Sequence, residues 1–307
     1  MNLMVLKQEN ENLILSKISM FISGICMGNV GIFITLLSNY PIYTIVLLRG
    51  IFGSIFLTIY MGITKSLSKD FLKMSFKSNW KYLILLGISN PIVIFLYFLN
   101  IVISNYSIAA FLLYTSGIFL LLILILTRKE KVSIVNILSF FLAVTGVAII
   151  MEFWRGNLIL PCITIGIFSG LSLGLMIFIK KQIYKNRSKN NLLIGPKGNF
   201  DTFLSWYTTL LLMFIFLPFG FNDLFKLTLS DIIISLFLGL IPTALAFTLY
   251  NVGVKKDKGG NIVILSYFEP IIATINTAIF LQKLSVFTII GGLLIIFANI
   301  IILIYSK

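Results

Sequence analysis

Apolar residues fall in long blocks in this chain, each about as long as a bilayer crossing and each closed by a short polar cluster. Ten such spans can be read, over about residues 17–37, 42–63, 82–103, 107–126, 132–151, 158–179, 203–221, 231–254, 261–281 and 286–305. A helix needs ~20 apolar residues to cross the hydrocarbon core. None of the spans alternates polar with apolar as a barrel strand does. Helices are therefore required, because lipid offers an open backbone group no partner. The pattern predicts an all-α integral membrane protein with ten transmembrane helices. The first fifteen residues hold two acids and several amides, and the span behind them lacks a small-residue cleavage site, so it reads as a retained helix. The longest polar stretch, "KKQIYKNRSKNNLLIGPKGNFD" (180–201), reads as a solvated lysine-rich loop beside anionic lipid. Segment 65–81 places a lysine at every fourth position, with Leu67, Phe71, Leu72, Met74 and Phe76 between, and reads as a short interfacial helix.

Composition agrees. Of 307 residues 59% are hydrophobic and 11% charged, with a mean hydropathy of +1.05, whereas soluble chains carry about 25% charged residues. The net charge of +14 invites a nucleic-acid reading, and its distribution rejects one. With the N-terminus inside, twenty basic residues fall on the cytoplasmic side and three (Arg155, Lys226, Lys283) on the other. That asymmetry places both termini in the cytoplasm and the chain in the cytoplasmic membrane. The two cysteines, Cys26 and Cys162, lie inside spans and there is no histidine, so neither a disulfide nor a metal site is expected. No G-x-x-x-x-G-K-[ST] loop occurs. Paired carboxylates or a metal cluster for intramembrane catalysis are also not visible. No enzyme activity and no cofactor is expected.

Five spans precede residue 151 and five follow 158. Because five is odd, two similar halves must be oppositely oriented, giving two inverted five-helix repeats. The first half occupies 1–179, where span 6 already leads into the loop. The junction is near 132–157, and the second repeat covers 158–307 with the lysine-rich loop at 180–202. "SGICMG" (23–28) matches "SGLSLG" (169–174). At an offset of 152, "LGISNPIVIF" (86–95) meets "LGLIPTALAF" (238–247) and "EKVS" (130–133) meets "QKLS" (282–285). Identity over 85–150 against 237–302 is 12 of 66, so the repeat rests on these local matches and their gap-free register. Glycines four apart allow helix backbones to approach closely.

Nine of the ten acidic residues lie at or outside span ends; Glu269, in "SYFEP", lies deep. Among basic residues Arg49, in "IVLLRGIFG", reads as the deep one. At 1.5 Å per residue, Glu269 is about 12 Å into its span and Arg49 about 10 Å into its own, from opposite faces. Each costs about 2.5–3.5 kcal/mol at mid-membrane, so each should meet a partner or a wet cavity. A structural ion pair and a transport pathway are both compatible with that. Pro270, directly after Glu269, disfavours helical geometry there and marks a hinge. Tyr97 and Asn100 in "FLYFLN", Tyr250 and Asn251 in "FTLYN", Tyr114 and Asn29 bring polar tips to similar depth, as do Asn90 and Asn276. Singly, such groups more often bond to neighbouring helices; together they suggest an aromatic-walled cavity for a small amphipathic solute.

The "LLRG" arginine and the segment "SYFEPIIATINTAIFLQKLSVFTIIGGLLIIFANI" resemble the EamA family of the drug/metabolite transporter superfamily. That family has an acidic-Pro pair opening the ninth span, a Gly-Glu-Arg-Leu-like turn and a glycine in the tenth. Here Glu269-Pro270, Gln282-Lys283-Leu284 and Gly291-Gly292 stand in those places. The first half reads "TSGIF" where the family often has proline, and keeps "RKEKVS" with Glu130. The resemblance implies a ten-helix basket around a cavity lined mainly by spans 1, 3, 4, 6, 8 and 9. It also implies a secondary transporter moving amino acids, nucleobase-like metabolites or drugs, mostly outward. The expected partners are a small-molecule substrate and membrane lipid, with Glu269 as a proton-coupling acid or an anchor for a substrate cation. Arg49 holds that acid ionised or binds a substrate carboxylate. The competing readings are uptake or exchange of a metabolite, and a membrane accessory protein that transports nothing.

Overall fold

The computed structural model describes residues 2–127, 133–150, 152, 154, 160–189, 199–257, 262–282 and 286–305. Among them there is no strand. The helices are α1 (Asn2–Met27), α2 (Val30–Leu36), α3 (Ile42–Ile63), α4 (Lys69–Ile103), α5 (Tyr106–Leu113), α6 (Ser116–Thr127) and α7 (Ile134–Ile150). They continue as α8 (Leu160–Lys189), α9 (Phe200–Gly220), α10 (Leu229–Gly239), α11 (Ala246–Lys256), α12 (Phe268–Leu281) and α13 (Val286–Tyr305). Six helical stretches are long and apolar enough to cross a membrane: Leu13–Leu36, Ile42–Ile63, Lys69–Ile103, Pro161–Ser188, Phe200–Lys226 and Leu229–Lys256. Shorter apolar helices run over Ile137–Gly146 and Leu265–Leu281. The chain is thus a multi-pass helical membrane protein.

Helix starts follow from local chemistry. Asn105 and Asn199 stand ahead of α5 and α9 and accept the free N–H groups of Ile108 (2.9 Å) and of Asp201 and Thr202 (3.1 and 3.2 Å). Thr228 and Asp231 bond reciprocally at the start of α10. Each satisfies donors that a first turn leaves open.

One expectation holds in part and one changes. Segment 65–81 does contain a short helix: α4 is two helices joined across a kink at Asn79 (φ −134°, ψ 18°), and the first of them starts at Lys69. Lys69, Lys73 and Lys77 are exposed on it, while Phe71 is fully buried with its ring 6.1 Å from that of Phe203 in α9, so its apolar side packs against protein. The lysine-rich loop begins later than expected, because α8 continues to Lys189. Lys180, Lys181, Gln182 and Arg187 are buried in it. Burial of Lys181 is tolerable because its ammonium pairs with the Asp257 carboxylate at 2.8 Å. The remainder of that loop at 190–198, the turn segments 128–132 and 283–285, and Arg155, Lys258 and Lys307 lie outside the described residues.

Helices of the two halves interleave. α3 packs on α9, α4 on α8, α7 on α13, α1 on α11 and α5 on α12. Counted as spans, the second meets the seventh, the fourth the ninth and the fifth the tenth, while the first meets the eighth and the third the sixth. The matched glycines sit at close crossings. A Cβ on Gly28 would lie 2.5 Å from the Ile272 Cβ of α12, and one on Gly174 3.0 Å from the Phe119 Cβ of α6. Gly87 faces Leu211 of α9, and Gly239, 152 positions later, faces Phe52 of α3. In lipid, such close van der Waals packing replaces the hydrophobic drive between helices.

Candidate functional site

Glu269 lies within the bundle because a helix begins there. A 3₁₀ turn, Val263–Tyr267, hands over to α12 at Phe268. Pro270 is the third residue of α12, where its missing N–H costs nothing because first-turn donors have no helical acceptor. The acid and the proline are therefore adjacent because both suit a helix N-terminus: the proline by its fixed φ, the carboxylate by the favourable end of the dipole. The helical disruption expected at Pro270 within one continuous span is therefore a junction between a 3₁₀ turn and α12. The start is anchored by Asp257, whose Oδ1 accepts from the N–H groups of Ile262 (2.5 Å) and Val263 (3.0 Å). Its Oδ2 accepts from Lys181 of α8.

The Glu269 side chain, 2% exposed, accepts from the Tyr114 hydroxyl at 2.8 Å. Tyr114 ends α5, and its carbonyl accepts from the Tyr267 hydroxyl at 2.6 Å. Ring centres of the two tyrosines are 4.7 Å apart. This clasp ties the break between α5 and α6 to the start of α12.

Arg49 projects from the middle of α3 and is buried. Its Nη2 donates to the Pro242 carbonyl at 2.8 Å. Pro242 lies in a π-helical turn, Leu240–Leu245, that joins α10 to α11. Proline has no N–H for the Leu238 carbonyl one turn back, and Thr243 Oγ1 donates to it instead at 2.7 Å. The guanidinium also lies against the Phe98 and Phe247 rings, 5.3 and 4.9 Å from their centres.

Arg49 and Glu269 line one cavity together with Tyr97, Tyr114, Tyr250, Asn90 and Lys180, and with the apolar Met27, Val30, Leu173, Met176 and Phe247 among its walls. The centre of a water-sized sphere can range over about 50 Å³ of it, room for a few waters. The two expected charges thus share a site. They are not an ion pair in contact, for among the described residues no salt bridge within 4.0 Å joins them. The lining comes from spans 1, 3, 4, 6, 8 and 9, as the family resemblance implied, with Arg49 added from the second.

Three expected site residues point elsewhere. Asn251 donates to the Asp201 carbonyl and the Ser205 hydroxyl at 3.0 and 2.9 Å, fastening α11 to α9. Asn29 donates to Ile25 O at 2.9 Å and accepts from Asn276 at 3.2 Å, bridging α1 and α12. Asn100 is fully buried, with its side chain against Gly166 of α8. Conversely, Arg49 is not the one deep basic residue: Lys180, expected in the loop, is 3% exposed and lines the cavity. A signal existed. Leu173, Met176 and Lys180 are spaced three and four apart, on one face of a helix. Among the described residues no cluster of three or more His, Cys, Asp or Glu could hold a metal ion. A buried carboxylate, two cationic groups and tyrosyl hydroxyls within aromatic walls are suited to holding a small polar solute by charge and hydrogen bonds.

The model of the EamA-like transporter family matches residues 15–152 and again residues 160–304, so the chain carries the family unit twice. A solved crystal structure superposes with a TM-score of 0.70 over 93% of this chain and 95% of its own, at 13% identity, which shows a shared fold. No curated protein sequence matches the chain.

Proposed function

The chain belongs to the EamA-like transporter family, and from that premise we propose that it is a secondary transporter exporting a small metabolite or amphipathic compound across the cytoplasmic membrane by alternating access. The observation that carries this reading is convergence: polar residues from the second, third, fourth, sixth, eighth and ninth helical spans meet in one cavity. Ten crossings in two inverted five-helix repeats, with both termini cytoplasmic, fit the interleaved pairing of the halves and the basic-residue asymmetry. A space for a few waters corresponds to a contracted conformation. Rocking one set of helices against the other would widen it towards each side in turn. Pro270, beside the 3₁₀-to-α junction, is the hinge of that movement. Glu269 exchanges a proton or holds a substrate cation, and Arg49 balances its charge.

The test is counterflow in proteoliposomes, using whichever solute of a metabolite panel most stabilises the purified protein against heat. Glu269→Gln should reduce exchange to the level of protein-free liposomes while expression and helical content stay unchanged. Counterflow at the wild-type rate would remove Glu269 from the mechanism.

A further inference from the structure

The cavity presents more hydrogen-bond donors than the protein satisfies. Lys180 enters it from α8 with its Nζ 4.9 Å from the centre of the Tyr250 ring and 5.9 Å from that of Phe247. Among the described residues no carboxylate or carbonyl accepts from that ammonium. Its neighbour Lys181 has Asp257; Lys180 has two ring faces. Three further polar atoms of the lining are buried without a hydrogen-bond partner: Arg49 Nε, Asn90 Nδ2 and the Tyr250 hydroxyl. The acceptor on the other side is the Glu269 carboxylate, which already takes the Tyr114 hydroxyl. Arg49 and Lys180 lie against the same Phe247 ring. Ionised, these two cations and one anion leave the cavity with a single excess positive charge.

Aromatic faces offset part of the cost of burying an ammonium, but a charge out of water is normally paired and hydrogen-bonded. Each unfilled group here donates, and each would be met by the same kind of ligand atom, an oxygen carrying negative charge. A cationic solute would face two like charges with one carboxylate in its favour. A neutral solute would leave the ammonium unpaired. A monoanion cancels the excess charge and supplies the missing acceptors, while its apolar part can lie along Val93, Leu173 and Phe247.

Resting on the transporter reading above, we propose that Lys180 forms an anion subsite with Arg49 and Asn90, and that the substrate is a small carboxylate-bearing solute with net negative charge and an apolar or aromatic body. The carboxylate bonds to the donors of that subsite, and Glu269 faces the substrate's remaining polar group.

The test uses purified full-length protein and a matched series of phenylacetate, 3-phenylpropionate and indole-3-acetate, each beside its carboxamide and the corresponding amine. Thermal unfolding reports binding, and counterflow in proteoliposomes reports transport. At least one carboxylate should stabilise the wild type while its carboxamide does not. Lys180→Met should weaken that binding by roughly tenfold or more, and Lys180→Arg should retain it. Without ligand, Lys180→Met should melt at or above the wild-type temperature, because an unpartnered buried charge is removed. Equal stabilisation by carboxylate and carboxamide, no stabilisation by any carboxylate, or undiminished carboxylate binding in Lys180→Met would each overturn the subsite. So would a marked loss of stability in the unliganded variant, which would make Lys180 structural. Counterflow of an amine or carboxamide with no carboxylate carried would refute the anion subsite and leave the transporter reading standing. Binding of a solute with no counterflow of it would refute the transporter.

Discussion

Glu269 and Asp257 show how two carboxylates of one segment divide their work. Glu269 faces the cavity. Asp257, fully buried at its side chain, joins Lys181 of α8 to the turn that starts α12. Asp257→Asn keeps an oxygen for the two backbone donors but removes the charge that balances Lys181. Stranding one partner of a buried pair costs about 3–5 kcal/mol. The variant should melt well below the wild type in detergent, and an unchanged melting temperature would show that the pair does not hold the segment. Glu269 and Arg49 were legible from sequence because a charge inside an apolar run stands out against its neighbours. Lys180 was not, because it opens a polar run and its burial depends on α11 and the aromatic faces that helix supplies. Asn29 and Asn251 were overread for the converse reason: depth along a span says nothing of which way an amide points, and both found partners on an adjacent helix.

The helices themselves were readable, and their interruptions were not. The spans read at 17–37, 107–126, 231–254 and 261–281 all contain a break or a change of helical pitch. An apolar run carries no local mark for this, since the freed backbone groups are satisfied by side chains distant in sequence. The π turn between α10 and α11 is the clearest case, for its Pro242 carbonyl is taken by Arg49 from 193 residues away. Thr243 supports that turn from within. Thr243→Val keeps the shape and loses the hydroxyl bond to Leu238, so stability should fall by about 0.5–1.5 kcal/mol. Thr243→Ser should restore most of the loss. Equal melting temperatures for the valine and serine variants would show that the bond contributes nothing to the turn.

Across the assembled bundle, the pairing of each half with the other means that no repeat encloses the cavity alone: Arg49, Tyr97 and Tyr114 come from the first, Lys180, Tyr250 and Glu269 from the second. A carrier built this way must admit water to those residues during its cycle. In an otherwise cysteine-free background, cysteines placed at Tyr97 and Tyr250 should react with a membrane-impermeant maleimide, and a bound solute should protect them. A cysteine at Asn276, whose side chain donates to Gly28 O at 3.0 Å within the α1–α12 contact, should react far more slowly. Equal labelling at all three sites would mean general exposure instead of a defined pathway, and no labelling at Tyr97 or Tyr250 would deny the pathway.

Membrane residence, the helical class, the doubling of the unit and the presence of Glu269 and Arg49 as charges inside apolar runs were already fixed in one dimension. Each depends on hydropathy or charge counted along the chain, and lipid imposes that count on every segment separately. Which polar groups share the cavity, which ones instead pin helices together, and that Lys180 belongs among the former became definite when the helices met. Burial and partner choice depend on side chains that lie far apart in the chain, and no local pattern encodes their approach.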